Sequence, residues 1–322
     1  PAIKAGDPGA DVYFPALASS GAAVIKRGRD NLKPLPFLRA LGCVDAKYRP
    51  ERRSAYCRTG FKPVDGGGIA YHPHSTLRAP DQSDPDRDKA AFADIPRLFA
   101  AVDAIQKAGG LLHDGSRTRR FEFWFTEFGY QTNPPDPVLG VSLEQQSRYV
   151  QQATYVCWRN PRIRMVVQYL WRDDPIGNGS RFSGWQSAPY GFDGRAKPLA
   201  KAFPNPFWVD LPRGRRTATI WGQVRPGTAT EVTVQSRRAG SSAWRLVRKV
   251  MTDARGYFSL PQVVNTKTTF RFQYAGAAQQ TATTPVVPPT PETGGASASA
   301  VPGPVRTVTS SAWTVKPVKA KR

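Results

Sequence analysis

Four short apolar runs constrain the first part of the chain more than any other feature. They are residues 11–17 (DVYFPAL), 68–72 (GIAYH), 121–127 (FEFWFTE) and 165–171 (MVVQYLW). Each is rich in β-branched or aromatic side chains and bounded by turn formers, so each reads as a strand. The segments between them carry helical spacing. In residues 94–109, Ile95, Leu98, Phe99, Val102 and Ile105 recur on one helical face, Pro96 suits a first turn and Gly109 marks the stop. Ser142 with Gln145 forms a capping box for a helix through Trp158, which Asn160 and Pro161 terminate. Residues 197–203 read as a last short helix before the proline-rich 204–206. Strands alternating with helices pair in parallel, because the crossover helix returns the chain to start the next strand in the same direction. The predicted class is α/β.

From Thr217 the period changes to two: TATIWGQV, EVTVQSR, WRLVRKVMT, GYFSL and TTFRFQY alternate between turn residues. An all-β unit over residues 215–277 is too small for a barrel enzyme and suits an immunoglobulin-like β-sandwich. Beyond it, 278–322 is mostly Pro, Thr, Ser and Ala with few large apolar side chains, a composition that cannot bury enough surface to order itself. Its basic end, 316–322, reads as a solvated or wall-contacting tail. The expected division is therefore 1–210, 215–277 and 278–322, which 322 residues accommodate.

The chain holds 46 Lys plus Arg against 24 Asp plus Glu, a formal charge of +22, which raises the question of nucleic acid or acidic partners. The basic residues are scattered (Arg52, Arg119, Arg164, Arg215, Arg237, Arg248), and zinc-finger spacing, RNA-binding aromatic signatures and basic heptads are all missing. Nucleic acid is thereby set aside. An arginine-rich solvated surface is the simple reading, and attraction to an acidic cell-wall polymer is the sharper one. No apolar run approaches the roughly 18 residues of a membrane span. Pro1 falls in mid-pattern, so a secretory leader is expected upstream of the sequence.

Cys43 and Cys57 share one loop-like stretch, 42–60, whereas Cys157 sits in a helical pattern between Tyr155 and Trp158. The first two can be free thiols or a bridge. A bridge closing a loop of about 15 residues contributes about 3 kcal/mol in the chain-entropy view and persists in an oxidising compartment. It would place the protein outside the cell or on its wall.

Chemistry concentrates at the strand ends. The run FWFTEFGYQTNPP puts a carboxylate, Glu127, at the C-terminal end of an apolar strand, where parallel barrels carry their working side chains. GIAYH ends in Tyr71 and His72, followed by Pro73 and His74, and MVVQYLW contains Gln168 and ends in Trp171. His72 and His74, one residue apart, also suggest zinc, but His113 is the one remaining histidine and a carboxylate would have to complete the set. No metal or cofactor is expected.

A strand ending in Thr126-Glu127-Phe128-Gly129, preceded by Tyr71-His72-Pro73 and followed by a strand ending in Trp171, resembles the clan A glycoside hydrolases, cellulase-like (β/α)8 barrels. Asp193-Gly194-Arg195 and Lys197-Pro198 fit the same pattern before the last barrel helix, and the resemblance covers about 1–209. It implies that the four strands are barrel strands five to eight and that Glu127 is the nucleophile of a retaining enzyme acting on a β-linked polysaccharide. Tyr71, His72, Gln168 and Trp171 would then help bind the sugar, with Tyr130 and Trp185 extending an aromatic platform. Clan A enzymes carry their acid/base Glu after an Asn on the fourth strand, and no Asn-Glu dipeptide occurs here. A whole barrel needs about 250 residues, more than precede Thr217. The expectation is a C-terminal half barrel, inactive alone, with its acid/base upstream of Pro1 and an unpaired apolar edge that favours association. Asp173 and Asp174 are the in-chain alternatives for a second acid, in an inverting arrangement. A different class of function is a non-catalytic carbohydrate-binding or wall-associated protein, for which Trp221 and Trp244 are stacking candidates unless they are core residues.

Overall fold

All four expected strands lie side by side in one parallel sheet. The computed structural model describes residues 2–22, 32–176, 184–277 and 305–318, and divides the chain into two units, Pro1–Phe203 and Pro204–Arg322. The first unit runs α1 (Ala2–Gly6), β1 (Tyr13–Ala18), α2 (Pro34–Leu41), β2 (Val64–Gly66), β3 (Gly68–His72), α3 (Ile95–Lys107), β4 (Leu111–His113), β5 (Phe123–Phe128), α4 (Leu143–Arg159), β6 (Ile163–Gln168) and α5 (Pro198–Ala202). The sheet order is β1-β3-β5-β6, the order of the chain, and every pair is parallel. The short parallel pair β2 and β4 was not anticipated: three-residue strands have no room for a period.

Alternation along the strands separates two faces. Ile69, Tyr71, Phe123 and Phe125 join Leu38 of α2, Leu98, Val102 and Ile105 of α3, and Val150 and Ala153 of α4 in one apolar core. The opposite parity carries Gly68, Trp124, His72 and Thr126. There Tyr13 packs its ring 4.1 Å from that of Trp124. Gly68 permits this crossing, since a Cβ at that position would stand 2.2 Å from the Trp124 ring. On β6, Ile163 and Val166 pack on the core while Met165 and Val167 are exposed.

The helix ends obey the sequence. Ser142 Oγ accepts from the Gln145 N–H at 3.1 Å and Gln145 Oε1 accepts from the Ser142 N–H at 3.0 Å, completing the capping box of α4. Gly109 closes α3 at φ +84°, a conformation that side chains resist. The bridge between Cys43 and Cys57 is formed, and Cys157 is buried as a free thiol.

The second unit consists of β7 (Phe207–Asp210), β8 (Thr217–Gln223), β9 (Glu231–Arg238), β10 (Arg245–Met251), β11 (Tyr257–Val263), β12 (Thr268–Ala277), β13 (Val305–Thr309) and β14 (Trp313–Val315). Two antiparallel sheets, β11-β8-β7 and β10-β9-β12-β13 with β14 also on β12, share one core that includes Phe207, Ile220, Val232, Val234, Phe258, Leu260, Phe270 and Phe272. Two expectations change here. Residues 207–210 are a strand of this unit and not the end of the first, because β7 pairs with β8. The stretch 278–322 is not structureless throughout: 305–309 and 313–315 complete the sheet on β12. Residues 278–304 and 319–322 lie outside the described residues. Trp221 is fully buried, as its core reading required, but Trp244 is only half-buried and lies ahead of β10.

Candidate active site

A bulge aims Glu127. Between Phe125 and Phe128 the β5 strand advances three residues while its partner β6 advances two, from Val166 to Gln168. The extra residue breaks strict alternation and re-aims a side chain at the strand end. As a result the consecutive residues Thr126 and Glu127 both meet His72. Its Nε2 lies 3.0 Å from Thr126 Oγ1 and its Nδ1 3.4 Å from Glu127 Oε2.

His74 arrives at the same oxygen. Pro73 turns the chain after β3, and His74 Nε2 stands 3.7 Å from Glu127 Oε2. Ser19, at the end of β1, donates its hydroxyl to the His74 carbonyl, so the ends of three neighbouring strands are tied together. Both imidazoles are largely buried while the Glu127 side chain is 36% exposed. Burial lowers the pKa of each histidine below the ordinary value, the dominant effect; the Glu127 charge partly offsets it at His72, and a hydrogen bond to the Gly129 backbone followed by that charge does so at His74. Neutral rings follow at neutral pH, able to donate one N–H and accept at the other nitrogen. Thr126 is placed to use the acceptor on His72.

The aromatic wall comes from the segment after β6. Trp185 sets its ring 5.6 Å from that of His74 and 5.8 Å, edge-on, from that of Tyr169. Burial, then the Glu127 and Asp174 charges, raise the Tyr169 pKa. Behind Trp185 the segment is clamped by a buried ion pair. Lys197 Nζ lies 2.6 Å from Asp173 Oδ2 and donates to the Gln186 carbonyl at 2.9 Å, and Asp173 Oδ1 accepts from the Ala188 N–H. Desolvation raises the Asp173 pKa and lowers that of Lys197 in spite of the pairing, as expected for a pair held in low dielectric. Asp174 Oδ2 accepts from the Trp185 N–H at 2.9 Å. Both in-chain alternatives for a second acid are thus engaged in holding the loop that carries Trp185.

Gly129 allows β5 and β6 to close on one another here. A Cβ on it would fall 2.5 Å from the Tyr169 carbonyl and 3.0 Å from Ser187 Cβ. Gln168, expected to face sugar, spends its Nε2 on the carbonyls of Ser187 and Tyr169 at 2.8 and 3.0 Å. Tyr71 and Tyr130, expected in the same role, are fully buried, their hydroxyls donating to the carbonyls of Ala90 and Arg78 at 2.7 and 2.9 Å. Alternation is the reason for Tyr71: it shares parity with Ile69 and points to the helices, one residue out of phase with His72. Trp171 lies beyond the end of β6 and is 60% exposed, its ring against those of Tyr190 and Phe203. The ring that reaches His74 belongs to Trp185.

The structure therefore gathers Glu127, His72 and Trp185, and adds His74, Thr126 and Tyr169. The His-Pro-His sequence signalled His74, but toward zinc. Among the described residues no three His, Cys, Asp or Glu side chains are arranged to hold a metal ion. His113 is buried away from this cluster, its Nδ1 on the Arg120 carbonyl at 3.0 Å and its ring stacked on Phe121.

No protein-family model and no curated protein sequence matches the chain. Solved structures it aligns with include a Paenibacillus polymyxa xyloglucanase from glycoside hydrolase family 44 (TM-score 0.32, 11% identity, 84% of this chain and 58% of that one). Another is Cel44A, a family 44 endoglucanase from Clostridium thermocellum (TM-score 0.26, 11% identity, 82% of this chain and 57% of that one). A Ruminococcus gnavus β-glucuronidase aligns at TM-score 0.28 and 18% identity over 42% of this chain and 21% of its own. The chain spans less than two thirds of the length of each. Likeness at this level defines neither a family nor an activity, so the functional reading rests on the site.

Proposed function

We propose that Glu127 is the nucleophile of a retaining glycoside hydrolase that acts on a β-linked polysaccharide. The observation that carries this reading is a partly exposed carboxylate at the bulged C-terminal end of a parallel strand, with two neutral imidazoles beside one of its oxygens and an exposed indole next to them. Ligands of parallel α/β sheets bind at such strand ends.

In the proposed first step the Glu127 carboxylate attacks the anomeric carbon, the bond to the leaving oxygen breaks, and a carboxylic acid protonates that oxygen. Water then hydrolyses the glycosyl ester and restores the carboxylate. His72 and His74 flank one oxygen of the nucleophile, at 3.4 and 3.7 Å, and leave the other for attack. Trp185 offers a flat apolar face to a pyranose ring. Asp173 and Asp174 are committed to the Trp185 loop, so the proton donor is assigned to a carboxylic acid other than these. The bridge between Cys43 and Cys57 supports a secreted or wall-associated location, and the second unit is assigned as an immunoglobulin-like accessory domain.

Aryl β-glycosides with a dinitrophenolate leaving group need no proton donor and test the assignment directly. The native chain should release dinitrophenolate at least about a thousandfold faster than Glu127→Ala. Equal release by both would remove the proposal.

A further inference from the structure

The second unit carries an aromatic and guanidinium cluster that its core does not use. Trp244 has the guanidinium carbon of Arg271 4.0 Å from its ring centre and that of Arg237 at 4.8 Å. Strand register brings the three together. Arg237 on β9 pairs with Thr269 on β12, and Arg271 on β12 pairs with Gln235 on β9, so both arginines stand on one face, two positions apart. The alternate residues Val232, Val234, Phe270 and Phe272 point into the core. The cluster face therefore looks outward, and it continues in polar side chains: Thr269 Oγ1 lies 2.7 Å from Thr314 Oγ1, and Gln273 Nε2 donates to Thr309 Oγ1 at 2.9 Å.

Two cations sharing one indole repel each other. Burial, then the Arg237 charge, lower the Arg271 pKa. Among the described residues no Asp or Glu ion-pairs with either arginine, and Glu231 of the same strand is held by Lys249 at 3.2 Å. Arg271 Nε donates to Gln235 Oε1 at 2.8 Å, which fixes the guanidinium plane and leaves its outer Nη groups without an acceptor among the described residues. A stacked guanidinium held this way presents parallel N–H donors, the arrangement that a carboxylate meets with two hydrogen bonds. An anion there would also relieve the repulsion between the arginines.

We infer that the Arg237, Trp244 and Arg271 cluster binds carboxylate groups of a polyuronate, a polysaccharide of uronic acid units lying across the outer face of β9 and β12. The flat face, its rows of Thr and Gln side chains and the formal charge of +22 suit an extended, hydroxyl-rich and negatively charged chain. This site is separate from Glu127 and stands whether or not that residue is a nucleophile.

Calorimetric titration of the full chain with polygalacturonate, with hydroxyethyl cellulose and single-stranded DNA as neutral and phosphate-bearing comparisons, tests it. Polygalacturonate should bind, the neutral glucan should not, and Arg271→Gln should weaken binding about tenfold or more through loss of the bidentate contact. Arg271→Lys, which keeps the charge and the sheet, should weaken it comparably, whereas Arg52→Gln, which removes one charge from the first unit, should change it less than about twofold. Three results would overturn the inference: no binding of polygalacturonate, equal losses in Arg271→Gln and Arg52→Gln, or tighter binding of the DNA.

Discussion

His72 and His74 approach the same Glu127 oxygen, yet both titrate below ordinary imidazole because burial outweighs the neighbouring charge. Protonation is thus favoured in the unfolded chain, where the rings return to about 6.5. The sign follows: their contribution to stability is complete above that value and is lost as pH falls through the folded-state values. Melting temperature should be flat from about pH 8 to 6.5 and decline below it. Glu127→Gln removes the charge that favours the imidazolium, so both rings should titrate still lower by imidazole NMR. A rise in either pKa would contradict the geometry. At Gly129 the constraint is space, and Gly129→Ala should cost about 1–3 kcal/mol in chemical denaturation, because the new methyl group meets the Tyr169 carbonyl. At this scale Glu127 and His72 were legible from their positions at strand ends. Trp171 was not placed correctly, because the unbroken run MVVQYLW does not reveal that its strand stops at Gln168.

Helix α3 illustrates what periodicity conveys: each of its five expected apolar positions is buried. The capping box at Ser142 was equally legible, since it depends on two residues three apart, and Ser142→Ala should lower stability by about 1 kcal/mol. The clamp behind Trp185 was not, because Lys197 and Asp173 are distant in sequence and each reads as a surface residue. Lys197→Met leaves a carboxylate buried and unpaired, which should cost about 3–5 kcal/mol at neutral pH by the same denaturation measurement. The strands β13 and β14 escaped notice for a related reason. Beside the Pro, Thr, Ser and Ala composition around them they are short, and only pairing with β12 makes them strands. Trp244 was left open between core and surface, because alternation alone does not distinguish a core indole from one covered by Arg237 and Arg271.

For the molecule as a whole, the change of period near Thr217 conveyed the presence of an α/β part and an all-β part, and the boundary at Pro204 came earlier because β7 is recruited by β8. The parallel sheet has β1 and β6 at its two edges, each paired on one side among the described residues, and β6 exposes Met165 and Val167. Such edges recruit other strands. Sedimentation velocity should therefore show association that grows with concentration, and charged substitutions at Met165 and Val167 should suppress it.

Covalent trapping addresses the role of Glu127 most directly. A dinitrophenyl 2-deoxy-2-fluoro-β-glycoside forms a long-lived glycosyl ester with the nucleophile of a retaining enzyme and needs no proton donor to do so. Peptide mass mapping after incubation with a panel of such glycosides should place one fluoroglycosyl group on Glu127, and none in Glu127→Gln. A chain that takes up no label, or takes it up at another residue, would contradict the assignment.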